Sequence, residues 1–143
     1  MTASKRKIVL AGGAFDILHY GHIYFLKKAK ALGSYLIVAI ESDKRIRDLK
    51  GPGRPIHSQK QRKEILESLK FVDKVIILKD KMVDEDYINM VKKIRPSIIA
   101  VTKNDPILPK KENQAKLVGG YVVEIPGIKT HSTSQIAKLL KME

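Results

Sequence analysis

Apolar positions in this chain follow two rhythms that alternate along its length. Short runs rich in Val and Ile, at Lys7–Ala11, Tyr35–Ile40, Lys74–Leu78, Ile98–Val101 and Tyr121–Ile125, predict five strands. Between them, apolar residues spaced by three and four predict helices over Tyr20–Leu32, Ser58–Leu69, Asp84–Ile94, Pro109–Val118 and Ser132–Leu140. Strands apolar on both faces, with a helix in every gap, predict an α/β fold: a five-stranded parallel sheet with right-handed crossovers and helices on both faces. Ligands of such sheets sit at the carboxyl ends of the strands. The spaced apolar residues of the helices, Met90 and Leu117 among them, read as core.

Composition narrows the class without naming a function. At 143 residues, with no internal repeat or interdomain linker, one domain over 1–143 is expected. There is no cysteine, so a disulfide framework and a thiolate metal site are both excluded, and a cytoplasmic setting is the simpler expectation. No apolar run approaches the ~20 residues needed to span a bilayer, and the apolar part of the amino terminus is too short for a signal-peptide core. The charge of +13 attracts phosphorylated ligands, nucleic acid or acidic membrane surfaces alike. Basic residues alternate with acidic ones, as in Glu41–Asp48, which is how solvated helix faces read. With no nucleic-acid motif and only 6% aromatic residues, nucleic acid is not the expected partner.

The chemistry concentrates between Ala11 and His22, AGGAFDILHYGH, which joins the first predicted strand to the first predicted helix. Gly12 and Gly13 carry no Cβ, so the main chain there can turn sharply and approach a ligand. His19 and His22 are three apart and share a face at the positive end of the helix. Free N–H groups, the helix dipole and two imidazoles would together hold the oligophosphate of a nucleotide. The pair could also be half of a metal site, but Asp16 is the one further ligand nearby, so no protein-held metal is expected. Asp16 can instead fix the turn by accepting backbone N–H bonds. Neither G-x-x-x-x-G-K-[ST] nor a full G-x-G-x-x-G occurs, which disfavours P-loop hydrolysis and dinucleotide oxidoreduction. His57 reads as structural or exposed.

Gly13–His22 resembles the G-x-F-D-x-x-H-x-G-H signature of the cytidylyltransferase-like nucleotidyltransferases, whose fold is a single Rossmann-like domain. The resemblance implies that His19 and His22 bind phosphate. It places Gly13, Ala14, Phe15, Asp16 and Gly21 around the nucleotide, with the contacts at Ala14 and Phe15 made by main chain. Ala14 stands where many members have threonine and offers no hydroxyl. Lys27, one turn further along, is a candidate addition.

Three later stretches extend the resemblance from Lys5 to Leu140. Asp48–Arg62, DLKGPGRPIHSQKQR, reads as a loop followed by a helix that Ser58 caps with Gln61 as its capping-box partner. Alone it is an ordinary surface connection. Beside the signature it resembles the same region of the sugar-phosphate adenylyltransferases, especially the heptose-phosphate domain of lipopolysaccharide core biosynthesis. That implies Arg62 at the phosphates, catalytic with His19 and His22, and Lys50 and Arg54 on the acceptor side. In TKNDP, Thr102–Pro106, Asp105 falls where relatives carry an aspartate near the nucleotide, although a plain turn explains Asn-Asp-Pro as well. In KTHSTS, Ser132 can cap the last helix. The stretch also resembles the family's C-terminal S-T-S motif, which implies that Ser132, Thr133 and Ser134 return to the triphosphate. The arginine of the glycerol-phosphate branch is missing here, leaving Lys129 or His131 as substitutes.

The implied reaction moves AMP or CMP from ATP or CTP to a phosphorylated small molecule, for which the Lys50–Pro55 loop favours a sugar phosphate. Pyrophosphate leaves and Mg2+ accompanies the triphosphate. The attacking phosphate is already anionic, so the protein must supply alignment and positive charge rather than a strong base. The resemblance also implies a homodimer. Adenylylation of flavin mononucleotide and cytidylylation of glycerol phosphate are the enzymatic alternatives. A noncatalytic module that binds nucleotide or nucleic acid is the remaining one.

Overall fold

The computed structural model describes residues 6–130 and 132–140, so His131 lies outside the described residues. Five strands form: β1 (Ile8–Gly13), β2 (Tyr35–Ile40), β3 (Lys74–Ile77), β4 (Ile98–Thr102) and β5 (Tyr121–Ile125). Six helices accompany them: α1 (Tyr20–Ala31), α2 (Asp43–Lys50), α3 (Gln59–Glu67), α4 (Asp84–Ile94), α5 (Leu108–Leu117) and α6 (Thr133–Leu139). All strand pairs are parallel, in the order β3-β2-β1-β4-β5. This is a single α/β domain of Rossmann-like architecture, as the alternating rhythms predict.

Successive residues of the central strands face opposite helix layers. Val9 and Ala11 of β1, with Leu36, Val38 and Ile40 of β2, pack against Phe25, Leu26 and Ala29 of α1 and Leu66 of α3. The residues between them, Leu10, Ile37 and Ala39, pack on the other face with Val91 of α4 and Ala115 of α5. Burial of each large side chain contributes roughly 1.5–3 kcal/mol, so a register slip would be costly on both faces. Met90 joins the second layer, but Leu117 is 57% exposed at the end of α5 and is not core.

Two local features depart from the sequence pattern. Helix α2 buries only Ile46, so it shows no apolar period, and it is set instead by its ends. Ser42 caps it by accepting from the Arg45 N–H, and Gly51 closes it at φ 103°, where a side chain would be strained. The second feature is β1, which continues through Gly12 and Gly13, paired with Ala39 and Ile40. Neither glycine has a positive φ, so they serve close approach rather than a sharp turn.

From β1 the sheet grows one way to β3, then β4 starts on the other side of β1. The β1–β4 pairing runs only through Val9–Ile98 and Leu10–Ile99. Beyond it the two strands are no longer laddered together, and a crevice opens at their carboxyl ends, the switch point where ligands of such sheets bind. Among the described residues no helix is long and apolar enough to cross a membrane.

Candidate active site

The loop from Ala14 to His19 carries the chain from β1 into α1. Phe15 takes φ 48°, in the left-handed region that costs a side-chain-bearing residue about 1–3 kcal/mol. Its buried ring offsets that cost and lies 5.1 Å from the His22 ring, centroid to centroid. His19 is the N-cap of α1, and its Nδ1 accepts from the Gly21 N–H at 3.0 Å. His22 completes a capping box, its Nδ1 accepting from the His19 N–H at 3.3 Å. The two rings stack with centroids 3.9 Å apart. A Cβ on Gly21 would sit 2.7 Å from the His19 ring, so this close fit requires glycine there.

These bonds select a tautomer. Because Nδ1 is the acceptor in both rings, each neutral imidazole carries its proton on Nε2, free to donate to a ligand. Burial pushes the His22 pKa down to about 4, with the neighbouring His19 adding to the effect, and burial lowers His19 as well. At neutral pH both rings are therefore uncharged donors.

Asp16 and the two arginines build the wall beside this pair. The Asp16 carboxylate is 2% exposed and accepts from the N–H groups of Ile56 and His57 and from Arg54 Nε, each within 2.9 Å. It fastens a distant loop rather than its own turn. Burial pushes its carboxyl up, but the His57 and Ile56 N–H groups and the Arg54 guanidinium outweigh that and hold it below the usual range. Arg54, buried and preceding a cis peptide to Pro55, also reaches Ser134 Oγ at 3.4 Å.

Arg62 differs from its expected place at the phosphates. It is fully buried, and its guanidinium donates to His57 O, Ala14 O and Asp43 Oδ1 at 3.1, 2.8 and 2.8 Å. A permanently charged side chain buried at the root of α3 needs these acceptors, and their geometry turns it into a brace between the signature loop, α2 and α3. With the Ala14 carbonyl engaged by Arg62, its N–H is the part of that residue left for a ligand.

Three cavities surround the signature. One of about 420 Å³ lies over Gly12 and Gly13 and is walled by His19, His22, Thr102 and the Ile125–Ile128 turn. A second, of about 190 Å³, adjoins it and brings together residues far apart in sequence: Ala14, Asp16 and the histidines, Lys50 and Arg54, and Ser132, Thr133 and Ser134. The third, of about 300 Å³, lies on the other side of the β1–β4 crevice, lined by Glu41, Arg45, Leu78, Met82, Tyr87 and Met90 among others.

Not every expected residue reaches a cavity as a free group. Ser132 caps α6 through Gln135, and Thr133 Oγ1 donates to Ile17 O at 2.7 Å, stapling α6 to the signature loop. Asp105 lines the 420 Å³ cavity while also making the turn contact, accepting from the Ile107 N–H. Lys27 and Lys129 are exposed and line none of the three. His57 is half-buried and structural through its N–H. The 300 Å³ cavity and Lys111, which lines it, have no counterpart in the sequence reading. Lys110-Lys111-Glu112 looks like a solvated helix face, and Met82, Tyr87 and Met90 look like core.

The cytidylyltransferase-like family profile matches residues 10–136. The FAD synthase of Thermococcus sibiricus is 38% identical across 99% of this chain and 95% of its own length. The bifunctional protein HldE of Campylobacter fetus is 41% identical over 97 residues, which are 67% of this chain and 20% of that protein. The chain thus spans about a fifth of the length of that relative. Among solved structures, a lipopolysaccharide core biosynthesis protein from Thermoplasma volcanium superposes with a TM-score of 0.69 at 29% identity, covering 89% of this chain and all of the other.

Proposed function

Since the chain belongs to the cytidylyltransferase-like family and is a nucleotidyltransferase, we propose that it transfers AMP from ATP to a phosphorylated small molecule and releases pyrophosphate. The observation that carries this reading is the stacked histidine pair, with both Nε2–H donors free at the amino end of α1 where two cavities meet. The base occupies the 420 Å³ cavity, and the β- and γ-phosphates run past the histidines toward Lys50 and the α6 hydroxyls. An acceptor phosphate oxygen attacks the α-phosphorus, the bond to the pyrophosphate oxygen breaks, and its electron pair leaves with pyrophosphate. Negative charge gathers on the leaving group, and donors already aligned there stabilise it without reorganisation.

Among the described residues no three His, Asp or Glu side chains converge as a metal site, so Mg2+ in this proposal arrives with the triphosphate, held by phosphate oxygens and water. A homodimer and a cytoplasmic setting complete the proposal. Light scattering reads the first directly.

A sugar phosphate is the acceptor that the Lys50–Pro55 loop favours. Flavin mononucleotide is the second reading, and the 300 Å³ cavity favours it. Leu78, Met82, Tyr87 and Met90 give that cavity an apolar, sulfur and aromatic wall suited to a flat ring. The end-to-end match to an FAD synthase supports the same choice. The test is pyrophosphate release with Mg2+, ATP and CTP each offered against sugar phosphates, glycerol phosphate and flavin mononucleotide. Release with ATP and one acceptor is expected and identifies the branch. Silence with every acceptor, from protein that binds ATP, would favour the noncatalytic module.

A further inference from the structure

The 420 and 300 Å³ cavities meet over the carboxyl ends of β1 and β4, and four residues line both: Gly12, Gly13, Ala100 and Lys111. Three of these present backbone or a methyl group. Lys111 is, among the described residues, the one charged side chain at the junction. Its Nζ lies 2.6 Å from Asp105 Oδ2, and Asp105 is itself fixed by the Ile107 N–H on Oδ1 at 2.8 Å. Burial pushes the Asp105 carboxyl up, but the Lys111 ammonium and the Ile107 N–H outweigh it and keep the carboxyl ionised. An ammonium has three N–H donors and Asp105 takes one. The turn after β4 is secured by Oδ1 and the Ile107 N–H, while Lys111 pairs with the other carboxylate oxygen.

We propose that Lys111 is a further catalytic residue of nucleotidyl transfer, contacting the α-phosphate as the acceptor phosphate closes on it, with Asp105 as its positioning residue. This rests on the transfer reading above. With the nucleotide base in the 420 Å³ cavity and the acceptor in the 300 Å³ cavity, the placement the flavin reading uses, the new P–O bond forms at their junction, where two anionic phosphates approach. There the ammonium offsets their repulsion and the charge that builds on the equatorial oxygens. The acceptor oxygen bonds to the α-phosphorus, the α–β bridging oxygen leaves with its electron pair, and Lys111 keeps its protons throughout.

The test uses the full chain and its preferred acceptor. Lys111→Met is expected to lower kcat by about 10²–10³, the size of a lost transition-state donor, while the Kd for α,β-methylene ATP shifts less than about threefold. Asp105→Asn, which leaves the ammonium but loosens it, is expected to cost about tenfold or less. The chain has no cysteine, so Lys111→Cys can be aminoethylated at one place, and restoring the ammonium there is expected to recover most of the lost kcat. An active wild type with kcat preserved in Lys111→Met, or lowered no more than in Asp105→Asn, would overturn this assignment alone and leave Lys111 as half of a structural ion pair. A wild type silent with every acceptor would overturn the transfer reading and this assignment with it.

Discussion

His19 and His22 leave Nε2 toward the cleft, whereas Arg54 and Arg62, drawn from the neighbouring loop and helix, commit their guanidinium groups to protein acceptors, Arg54 to Asp16 and Ser134 in the wall of the 190 Å³ cavity and Arg62 wholly inside the protein. All four lie around the same signature, and on paper all four are cations for a phosphate. The difference lies in what burial does to each. An imidazole can be buried neutral, with one nitrogen holding the helix cap and the other waiting for a ligand. A guanidinium stays charged, so when buried it must be paired, and pairing turns it into scaffold. Basic residues around the signature therefore divide into those that present a free donor to the cleft and those that shape its wall.

The sharpest way to break this comparison is at Asp16. Asp16→Ala removes the carboxylate that holds Arg54 and two loop N–H groups, and is expected to cost about 3–5 kcal/mol in urea unfolding. A loss below about 1 kcal/mol, within the range of an exposed ion pair, would mean that Arg54 belongs with the ligand after all. The opposite signature is expected at the histidines. Combining His19→Asn with His22→Gln retains residues able to form the capping box while deleting both Nε2 donors. Turnover should fall about 10²–10³, with unfolding free energy within about 1 kcal/mol of wild type. Equal losses of stability and turnover would place the histidines with the scaffold.

Acid separates the two regions with a smaller effect. His22 is depressed to about 4, so between its unfolded value near 6.5 and about pH 4 the unfolded chain binds a proton that the folded chain refuses. Its share of stability is present above pH 6.5 and declines through that window, by about 1–2 kcal/mol after allowance for its partial exposure. Asp16 is lowered, so its share survives that window and declines only below about pH 4. Glu41, whose carboxyl is raised by burial despite Arg45, Lys111 and Arg62, contributes with the opposite sign in the same window as His22. The readout is therefore the difference between wild type and His22→Gln across pH 6.5 to 4. ATP, by favouring protonated histidines, should bind more tightly as pH falls through that range, and more steeply in wild type than in His22→Gln, which isothermal titration would show.

Much of the architecture is legible in local pattern. The five strands and five of the helices follow from apolar rhythm because the sheet is buried on both faces, which leaves few alternative periods. Helix α2 escapes because its one buried residue, Ile46, sets no period. The histidine pair is legible because its two members share a helix turn. Arg62 is not: Ala14, Asp43 and His57 surround it from three separate segments, and no spacing in the chain announces that meeting. The third cavity is hidden for the same reason, since Leu78, Met82, Tyr87 and Met90 resemble core residues until the sheet's switch point leaves them beside open space.

The amino-acid sequence alone therefore determined the class of fold, the place of the signature turn between β1 and α1, and the pairing of its two histidines on one helix turn. Each of these depends on residues within a few positions of one another, where helix and strand geometry is dictated locally. Only the tertiary structure decided which basic side chains open on the cleft, how Asp16 closes a loop about forty residues away, and where Lys111 stands between two cavities. Those outcomes depend on burial and on contacts between distant segments, and neither exists until the sheet has brought the carboxyl ends of its strands together.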